Sequence, residues 1–106
     1  YDGGNFLKDY MFVDDICRAM DNIMTWGKPN EIYNIGSGTS QSFRDIIEYC
    51  KERVRSDSEI VDCSFPKEQE YLQIKNMTLN TEKLKSLKFL PTMSLDEGLN
   101  EMCRVY

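Results

Sequence analysis

The sequence contains no histidine, and its four cysteines are spread so widely that no two form a C-x-x-C pair. Structural zinc sites are built from cysteines and histidines at close, regular spacings. The sequence therefore argues against a zinc site. Cys17, Cys50 and Cys103 fall on or beside apolar helical stripes, and we predict that they are small buried hydrophobic residues in a reducing cytoplasm.

Long apolar runs are also missing, and no charged-then-apolar leader opens the chain. No segment is therefore expected to cross a membrane, and we expect a cytoplasmic protein. The net charge of −5 argues against a broad nucleic-acid surface. A length of 106 residues, with 41% hydrophobic and 29% charged residues, is typical of one globular domain or part of one. Because the chain starts at Tyr1 rather than Met, we expect a fragment, a processed product or a trimmed chain.

The clearest local pattern runs from residue 31 to residue 54. Residues 31–35 are rich in β-branched and aromatic types and predict a strand, which the glycines of Gly36-Ser37-Gly38 end. Ser42 is a candidate N-cap, with Asp45 three residues later as in a capping box. One face of the following helix carries the apolar residues Phe43, Ile46, Ile47, Cys50 and Val54.

The other segments alternate in the same way. Extended segments are predicted at 8–13, 59–64 and 77–79, and helices at 81–87 and from the Ser94 capping box onward. A further helix starts at Asp14-Asp15, ends by Trp26-Gly27, and is expected to bury Val13, Ile16, Met20, Ile23 and Met24. About four helices with three or four short strands indicate an α/β fold. Only 31–35 has the pattern of a robust buried strand, so we expect the full parallel sheet to be absent and the strand's partners to lie in a missing N-terminal part or in another copy.

Four motifs occur in a fixed order across nearly the whole chain. They are K-D-Y-M-F-V-D-D at 8–15, I-Y-N-I-G-S-G at 32–38, N-T-E-K-L at 80–84, and L-P at 90–91 followed by S-L-D-E-G-L at 94–99. Together they resemble the C-terminal third of the NAD-dependent epimerase/dehydratase family, the extended short-chain dehydrogenase/reductases that act on nucleotide sugars. The resemblance implies that residues 1–106 are the nucleotide-sugar-binding portion of an extended Rossmann-type enzyme whose N-terminal NAD-binding domain is absent.

The resemblance also implies that the redox cofactor, NAD or NADP, is held by that absent domain together with the catalytic Tyr-x-x-x-Lys. Gly36-Ser37-Gly38 is not a G-x-G-x-x-G fingerprint, because residue 41 is glutamine. Tyr71 and Lys75 match the Tyr-x-x-x-Lys spacing by letter, but they follow the nucleotide-sugar region, and we assign the match to chance. No cofactor and no catalytic residue is therefore expected in this fragment.

Five residues are candidates for substrate binding through the resemblance. Lys8 stands where the family usually has an arginine that contacts the substrate diphosphate, although lysine cannot form the bidentate fork and a solvated lysine at a strand edge is the alternative. Lys67 and Lys75 stand where the family often has a second basic contact. Asp9 and Tyr10 are candidates too, but orienting the loop and packing the strand are the favoured roles.

Two other motifs have a structural interpretation beside the functional one. Asp14 and Asp15 are expected to start a helix rather than to act as an acid–base pair. The Gly36–Gly38 turn is expected to link the sheet to the C-terminal part rather than to cradle a phosphate.

Two functions remain open from the sequence. The first is the nucleotide-sugar-binding portion of an NAD(P)-dependent epimerase or dehydratase, inactive alone, whose partners are a nucleotide sugar and either the missing domain or a second copy. The alternative is a stand-alone remnant that self-associates through its unpaired strand edge as a binding or assembly module.

Overall fold

The computed structural model of the chain describes residues 1–67 and 74–105. A 3₁₀ turn at Asp2–Gly4 precedes strand β1 (Leu7–Lys8) and helix α1 (Val13–Trp26). Strand β2 (Gln41–Ser42) leads directly into helix α2 (Phe43–Arg53). Helices α3 (Glu82–Ser86) and α4 (Leu95–Val105) follow. All four predicted helices are thus confirmed, and none of the described helices is long and apolar enough to cross a membrane.

Strand β1 lies between two other segments of the chain. On one side it pairs antiparallel with β2, with Leu7 opposite Ser42 and Lys8 opposite Gln41. On the other side the Met77 amide donates to the Leu7 carbonyl at 2.9 Å, and the Leu7 amide donates to Asn76 Oδ1 at 3.1 Å. This arrangement brings residues 74–77 alongside Lys8.

The positions of the strands differ from the prediction. Within the described residues, the segments 31–35, 59–64 and 77–79 are not assigned to a sheet, and the only paired strands are the two-residue β1 and β2. Residues 31–35 have no assigned secondary structure and, in the described part of the chain, no strand paired with them, and Ile32 is 83% exposed. Because a strand needs a hydrogen-bonded neighbour, an apolar run alone did not make one here.

The molecule is a thin plate with extents of 47 × 36 × 17 Å. A helix with its side chains is about 10–12 Å across, so the thin dimension leaves little room for a second layer. In the described ranges the buried apolar residues are accordingly few, namely Ala19, Leu84, Phe89 and Leu99.

Helix α1 buries a different face from the one expected. Ala19 is fully buried against Leu84 and Phe89, whereas Val13, Met20 and Met24 are 60%, 52% and 78% exposed. The prediction that these three residues point inward is wrong for the described part of the chain. The reason is that α3 and the residues after it cover only one side of α1, and we call the uncovered row Val13, Met20 and Met24 the α1 apolar stripe.

The predicted helix caps are present. The Ser42 hydroxyl accepts a hydrogen bond from the Asp45 amide at 3.1 Å and caps α2. At the start of α4, the Ser94 amide and hydroxyl donate to the Glu97 carboxylate at 2.8 and 2.7 Å, and these bonds hold the pKa of Glu97 below its usual value. Capping depends on residues three apart, which is why the sequence alone located both helix starts.

A buried carboxylate joins the first helix to the last. Asp15 is 1% exposed in the first turn of α1, and it accepts hydrogen bonds from the Thr92 amide at 3.0 Å, the Thr92 hydroxyl at 2.8 Å and the Met93 amide at 3.0 Å. Arg18, one turn along α1, also donates to it. Burial acts to raise the pKa of Asp15, but the hydrogen bonds from Met93, Thr92 and Arg18 together outweigh it and leave the pKa lowered.

We predict that Asp15→Asn lowers the free energy of unfolding by about 2–3 kcal/mol, because an amide NH₂ would face the buried donors of Thr92 and Met93. Since the folded-state pKa is depressed, the carboxylate's advantage is fully present above the unfolded pKa of about 4 and is lost as the pH falls through the folded value. Urea unfolding between pH 7 and pH 2 measures both effects.

The matched control is Asp14→Asn, a change at the exposed neighbour in the same helical turn. This control removes the same negative charge from the same helical turn, and it should lower the free energy of unfolding by less than about 1 kcal/mol. Equal losses from the two variants would mean that the buried hydrogen bonds of Asp15 are not the source of its stabilisation.

Candidate functional site

Two of the predicted lysines lie on adjacent segments at one edge of β1. Lys8 is half-buried in the strand, and its ammonium group donates a hydrogen bond to the Ile74 carbonyl. Lys75, the next residue, is exposed and holds its Nζ 6.0 Å from the centre of the Phe6 ring. Because residues 74–77 run beside β1, lysines 67 residues apart in sequence lie on adjacent segments.

Three aromatic rings stack beside these lysines. The Tyr1 and Phe65 ring centres are 4.4 Å apart with an interplanar angle of 28°, and the Phe6 and Phe65 centres are 5.6 Å apart at 12°. We call Tyr1, Phe6 and Phe65 the aromatic stack. Nothing in the sequence predicts the aromatic stack, because these three residues share no periodicity and no motif that would bring them together.

Lys67 is exposed two residues after Phe65, at the end of the first described range. Residues 68–73, which include Tyr71 of the chance Tyr-x-x-x-Lys match, lie outside the described part of the chain. The structure therefore places Lys8 and Lys75 on adjacent segments, and Lys67 on the same segment as one ring of the aromatic stack.

Asp9 holds the glycine turn in place. Its carboxylate accepts from the Ser37 amide and hydroxyl, both at 2.7 Å, from the Gly38 amide at 2.9 Å and from the Leu79 amide at 3.3 Å. A Cβ at Gly36 would lie 2.7 Å from Leu79 Cδ1 and 2.9 Å from Asp9 Oδ2, so the close approach requires glycine. The amides that would cradle a phosphate already donate to this carboxylate.

Tyr10 is half-buried, and burial raises the pKa of its hydroxyl. It lines a cavity of about 440 Å³ between the glycine turn and the start of α4. The cavity also presents hydroxyl groups from Ser37, Thr39, Thr92 and Ser94. Tyr10 therefore stays protonated at neutral pH and belongs to the wall of this cavity.

The neighbouring Asp14 and Asp15 do not form an acid–base pair. Both lie in the first turn of α1, as predicted, but Phe12 occupies the N-cap position. Asp14 is exposed, whereas the Asp15 carboxylate is occupied by Thr92, Met93 and Arg18. The helix-start position is confirmed, whereas the contact of Asp15 with residues 92 and 93 has no counterpart in the sequence pattern.

The cysteines fall into two groups. Cys17 and Cys63 are exposed, so the predicted burial of Cys17 is wrong, since it lies on the side of α1 that other residues leave open. Cys50 and Cys103 are partly buried. Across residues 1–67 and 74–105, no group of cysteine and acidic side chains is arranged to hold a metal ion.

Comparison with known proteins places this geometry in a family. No protein-family model matches the chain. The low-salt glycan biosynthesis protein Agl12 of Haloferax volcanii is 30% identical over 109 residues, covering 100% of this chain and 33% of that protein. The structure of UDP-glucose 4-epimerase from Thermotoga maritima with UDP-glucose is 31% identical, with a TM-score of 0.83 over 95% of this chain and 31% of that one.

The chain belongs to the NAD-dependent epimerase/dehydratase family. The fold is also shared by a dTDP-glucose 4,6-dehydratase from Bacillus anthracis in complex with NAD, at 22% identity and a TM-score of 0.81 over 95% of this chain and 31% of that one. The α/β class and the predicted C-terminal portion of an extended Rossmann-type epimerase are confirmed. The chain spans about a third of the length of the relatives it matches.

This epimerase/dehydratase portion thus presents Lys8 on a strand whose next residue, Asp9, is fixed by four donors. We predict that Asp9→Asn loosens the turn, because an amide group cannot accept from all of the Ser37, Gly38 and Leu79 donors. Amide hydrogen exchange at these three residues should speed up roughly tenfold or more.

The control is Asp57→Asn, a change at an exposed aspartate in the polar turn after α2. It should leave the three exchange rates unchanged. Unaltered exchange in Asp9→Asn would show that the carboxylate does not hold the turn.

Proposed function

We propose that these 106 residues are the nucleotide-sugar-binding portion of an NAD(P)-dependent epimerase or dehydratase that works in the cytoplasm. The observation that carries the proposal is the placement of Lys8 and Lys75 beside the aromatic stack. A nucleoside diphosphate sugar has a doubly charged diphosphate and a flat base, and this edge offers a counterpart for each.

The diphosphate would bind at the two lysines. Within residues 1–67 and 74–105, neither Lys8 nor Lys75 forms an ion pair with a carboxylate, so both charges remain open to an anion. Lys8 is already partly ordered by its bond to Ile74, which reduces the entropy lost on binding. Lys67 would add a second basic contact to the nucleotide, as the family resemblance suggests.

The base would stack on the aromatic stack. Tyr1 is 48% exposed, so one ring can receive a flat partner without rearrangement of the cluster. Stacking of a base on an aromatic side chain contributes about 1–3 kcal/mol and tolerates different bases. The UDP-glucose carried by the similar Thermotoga maritima structure has the chemistry that this edge would accept.

Asp9 and Tyr10 would support the ligand rather than bind its charge. The Asp9 carboxylate is directed at the glycine turn, and its negative charge would repel a phosphate. It positions the strand that carries Lys8. Tyr10 contributes the wall of the neighbouring cavity.

The redox cofactor is assigned to another domain. The Ser37 and Gly38 amides are occupied by Asp9, so the turn does not fit a dinucleotide pyrophosphate. NAD or NADP, when bound elsewhere in a complete enzyme of this family, would accept and return a hydride. These residues would supply binding and specificity and would be inactive alone, and turnover of a nucleotide sugar by this chain with added NAD would contradict that assignment.

We predict that Lys8→Gln weakens binding of UDP-, GDP- or CDP-sugars roughly tenfold or more, because a charge-assisted bond to phosphate is lost. Lys8→Arg should bind at least as well as the natural chain, since arginine adds a bidentate fork. Isothermal calorimetry at fixed salt measures both changes.

Lys28→Gln is the matched control, a loss of one exposed lysine after α1. It should leave the affinity within a factor of two, which separates a local contact from a change in net charge. The proposal fails if the natural chain binds none of the sugars, or if Lys8→Gln and Lys28→Gln lower affinity equally.

A second function, self-association as an assembly module, is favoured by the α1 apolar stripe. Val13, Met20 and Met24 form an exposed row on one helix, and among the described residues no strand pairs with the 31–35 segment. A partner, either a domain of the relatives that these residues do not span or a second copy, would cover both features.

We predict that the chain forms a concentration-dependent dimer, and that Met20→Lys shifts it toward monomer because a charge enters the buried stripe. Sedimentation velocity across a hundredfold range of concentration tests this. Met102→Lys changes an exposed methionine of α4 and should leave the dimer intact. A chain that stays monomeric at every concentration would exclude self-association.

A further inference from the structure

The cavity of about 440 Å³ between the glycine turn and the start of α4 lies beside the strand that carries Lys8. Tyr10, which lines the cavity, follows Lys8 by two residues, so their Cα atoms are at most about 7 Å apart. Gln41, another residue of the lining, is paired with Lys8 across β1 and β2. A group attached to a diphosphate at Lys8 therefore has this cavity as its neighbour.

We propose that this cavity binds the sugar ring of the nucleotide sugar and selects a neutral, hydroxyl-bearing hexose over a hexuronate. The inference rests on the proposed function, because it takes the binding of the diphosphate at Lys8 as given. It names the class of sugar, which a site for a diphosphate and a base leaves open. A hexose and its hexuronate differ only at C6, which is a CH₂OH group in one and a carboxylate in the other.

Polar groups of the cavity remain open to sugar hydroxyls. The Tyr10 hydroxyl and the Gln41 side-chain amide form no hydrogen bond within the described part of the chain. The Ser37 hydroxyl donates to Asp9, so the Thr39 hydroxyl, 3.0 Å away, donates to Ser37 and keeps its own lone pairs free. Because a sugar hydroxyl both donates and accepts, it matches the phenol, the amide and the threonine oxygen alike.

The cavity also has an apolar wall for the carbon face of a sugar ring. Tyr10, Phe12 and Leu95 belong to its lining. Helix α4 approaches Phe12 closely because residue 98 is glycine, and a Cβ at Gly98 would lie 2.9 Å from Phe12 Cδ2. An apolar wall with a few convergent polar groups, in a volume of about 300–1,000 Å³, is typical of small-molecule sites.

The charge of the lining favours a neutral ring. Among the described residues that line the cavity, Glu97 is the one charged side chain. Hydrogen bonds from the Ser94 amide and hydroxyl lower the pKa of Glu97, so its carboxylate is ionised at neutral pH. A second carboxylate in the same cavity would meet a like charge, which opposes binding.

The charged groups directly behind the lining act in the same direction. Asp9 accepts the bonds of the glycine turn, and Asp15 accepts the hydroxyl of Thr92. Arg18 donates to both Asp15 and Thr92, so its charge offsets that of Asp15. The carboxylates of Asp9 and Glu97 remain without a cationic partner in the described ranges, and the cavity is therefore negative overall.

Calorimetry at fixed salt compares UDP-glucose, UDP-glucuronate and UDP-xylose on the natural chain. These ligands share the base and the diphosphate, and they differ only in the CH₂OH, carboxylate or hydrogen at C5 of the sugar. UDP-glucose should bind roughly tenfold or more tightly than UDP-glucuronate, because of the like charge in the cavity. UDP-xylose, which is neutral, should bind within about threefold of UDP-glucose, since it loses one hydrogen-bonding group at most.

Glu97→Gln should narrow the difference between UDP-glucose and UDP-glucuronate by about threefold or more, because the like charge is removed. Glutamine also serves at the third position of a capping box, so the start of α4 is kept. The matched control is Asp96→Asn, which removes the charge of the exposed neighbour outside the cavity lining and should leave the difference unchanged.

Tyr10→Phe keeps the ring and removes only the hydroxyl that has no partner in the described residues. It should weaken UDP-glucose binding by about fivefold and leave the affinity for UDP unchanged, because UDP carries no sugar to place in the cavity. A purely structural role of the hydroxyl would weaken both ligands together, which would contradict the assignment of Tyr10 to the sugar.

The outcomes separate this inference from the proposed function. Equal affinities for UDP-glucose and UDP-glucuronate, or equal effects of Glu97→Gln and Asp96→Asn on their ratio, would overturn the selection by the cavity and leave the nucleotide-sugar assignment standing. A chain that binds neither UDP nor any of the three sugars would overturn both. The comparison of ligands on the natural chain needs no variant, so a poorly folded mutant leaves the test intact.

Discussion

The carboxylate of Asp15 joins the first helix to the turn before the last helix, across 77 residues of sequence. This joint matters because the plate is only 17 Å thick, and residues 1–67 and 74–105 bury just four apolar side chains, Ala19, Leu84, Phe89 and Leu99. So small a core offers limited hydrophobic stabilisation. Hydrogen bonds to the buried Asp15 carboxylate and the half-buried Asp9 carboxylate fix distant segments of the chain against one another.

The two carboxylates also explain why one strand is enough to organise the site. Asp9 gathers the Ser37–Gly38 turn and Leu79, while the strand that contains it pairs with β2 and meets residues 76–77. Lys8 is thereby fixed by its backbone on two sides. A cation held in this way loses little freedom when it meets an anion, which is the physical basis for assigning it to the diphosphate.

The sequence correctly predicted the features that depend on residues close together in the chain, namely the helices and their caps. The Ser42 and Ser94 caps, the four helices and the start of α1 follow from residues three or four positions apart, and the structure contains them all. It failed where the outcome depends on distant segments. The run at 31–35 has the composition of a strand, but no strand pairs with it in the described ranges. The aromatic stack joins Tyr1 to Phe65 although no periodic pattern connects them. Lys8 was found through its motif, whereas only the structure shows that Lys75 lies beside its strand.

The failures on α1 and at 31–35 have one cause. Periodicity marked Met20 and Met24 as inward, and composition marked Ile32 as part of a buried strand, yet all three are exposed. An apolar pattern predicts which side chains become buried. It does not show whether the surface that buries them belongs to the same stretch of chain. The proposed self-association or domain contact would give these exposed residues the burial that their pattern predicts. Since the family relatives are about three times as long as this chain, a domain of theirs that this chain does not span has the size to cover both features, and a second copy would have to present the same two features to itself.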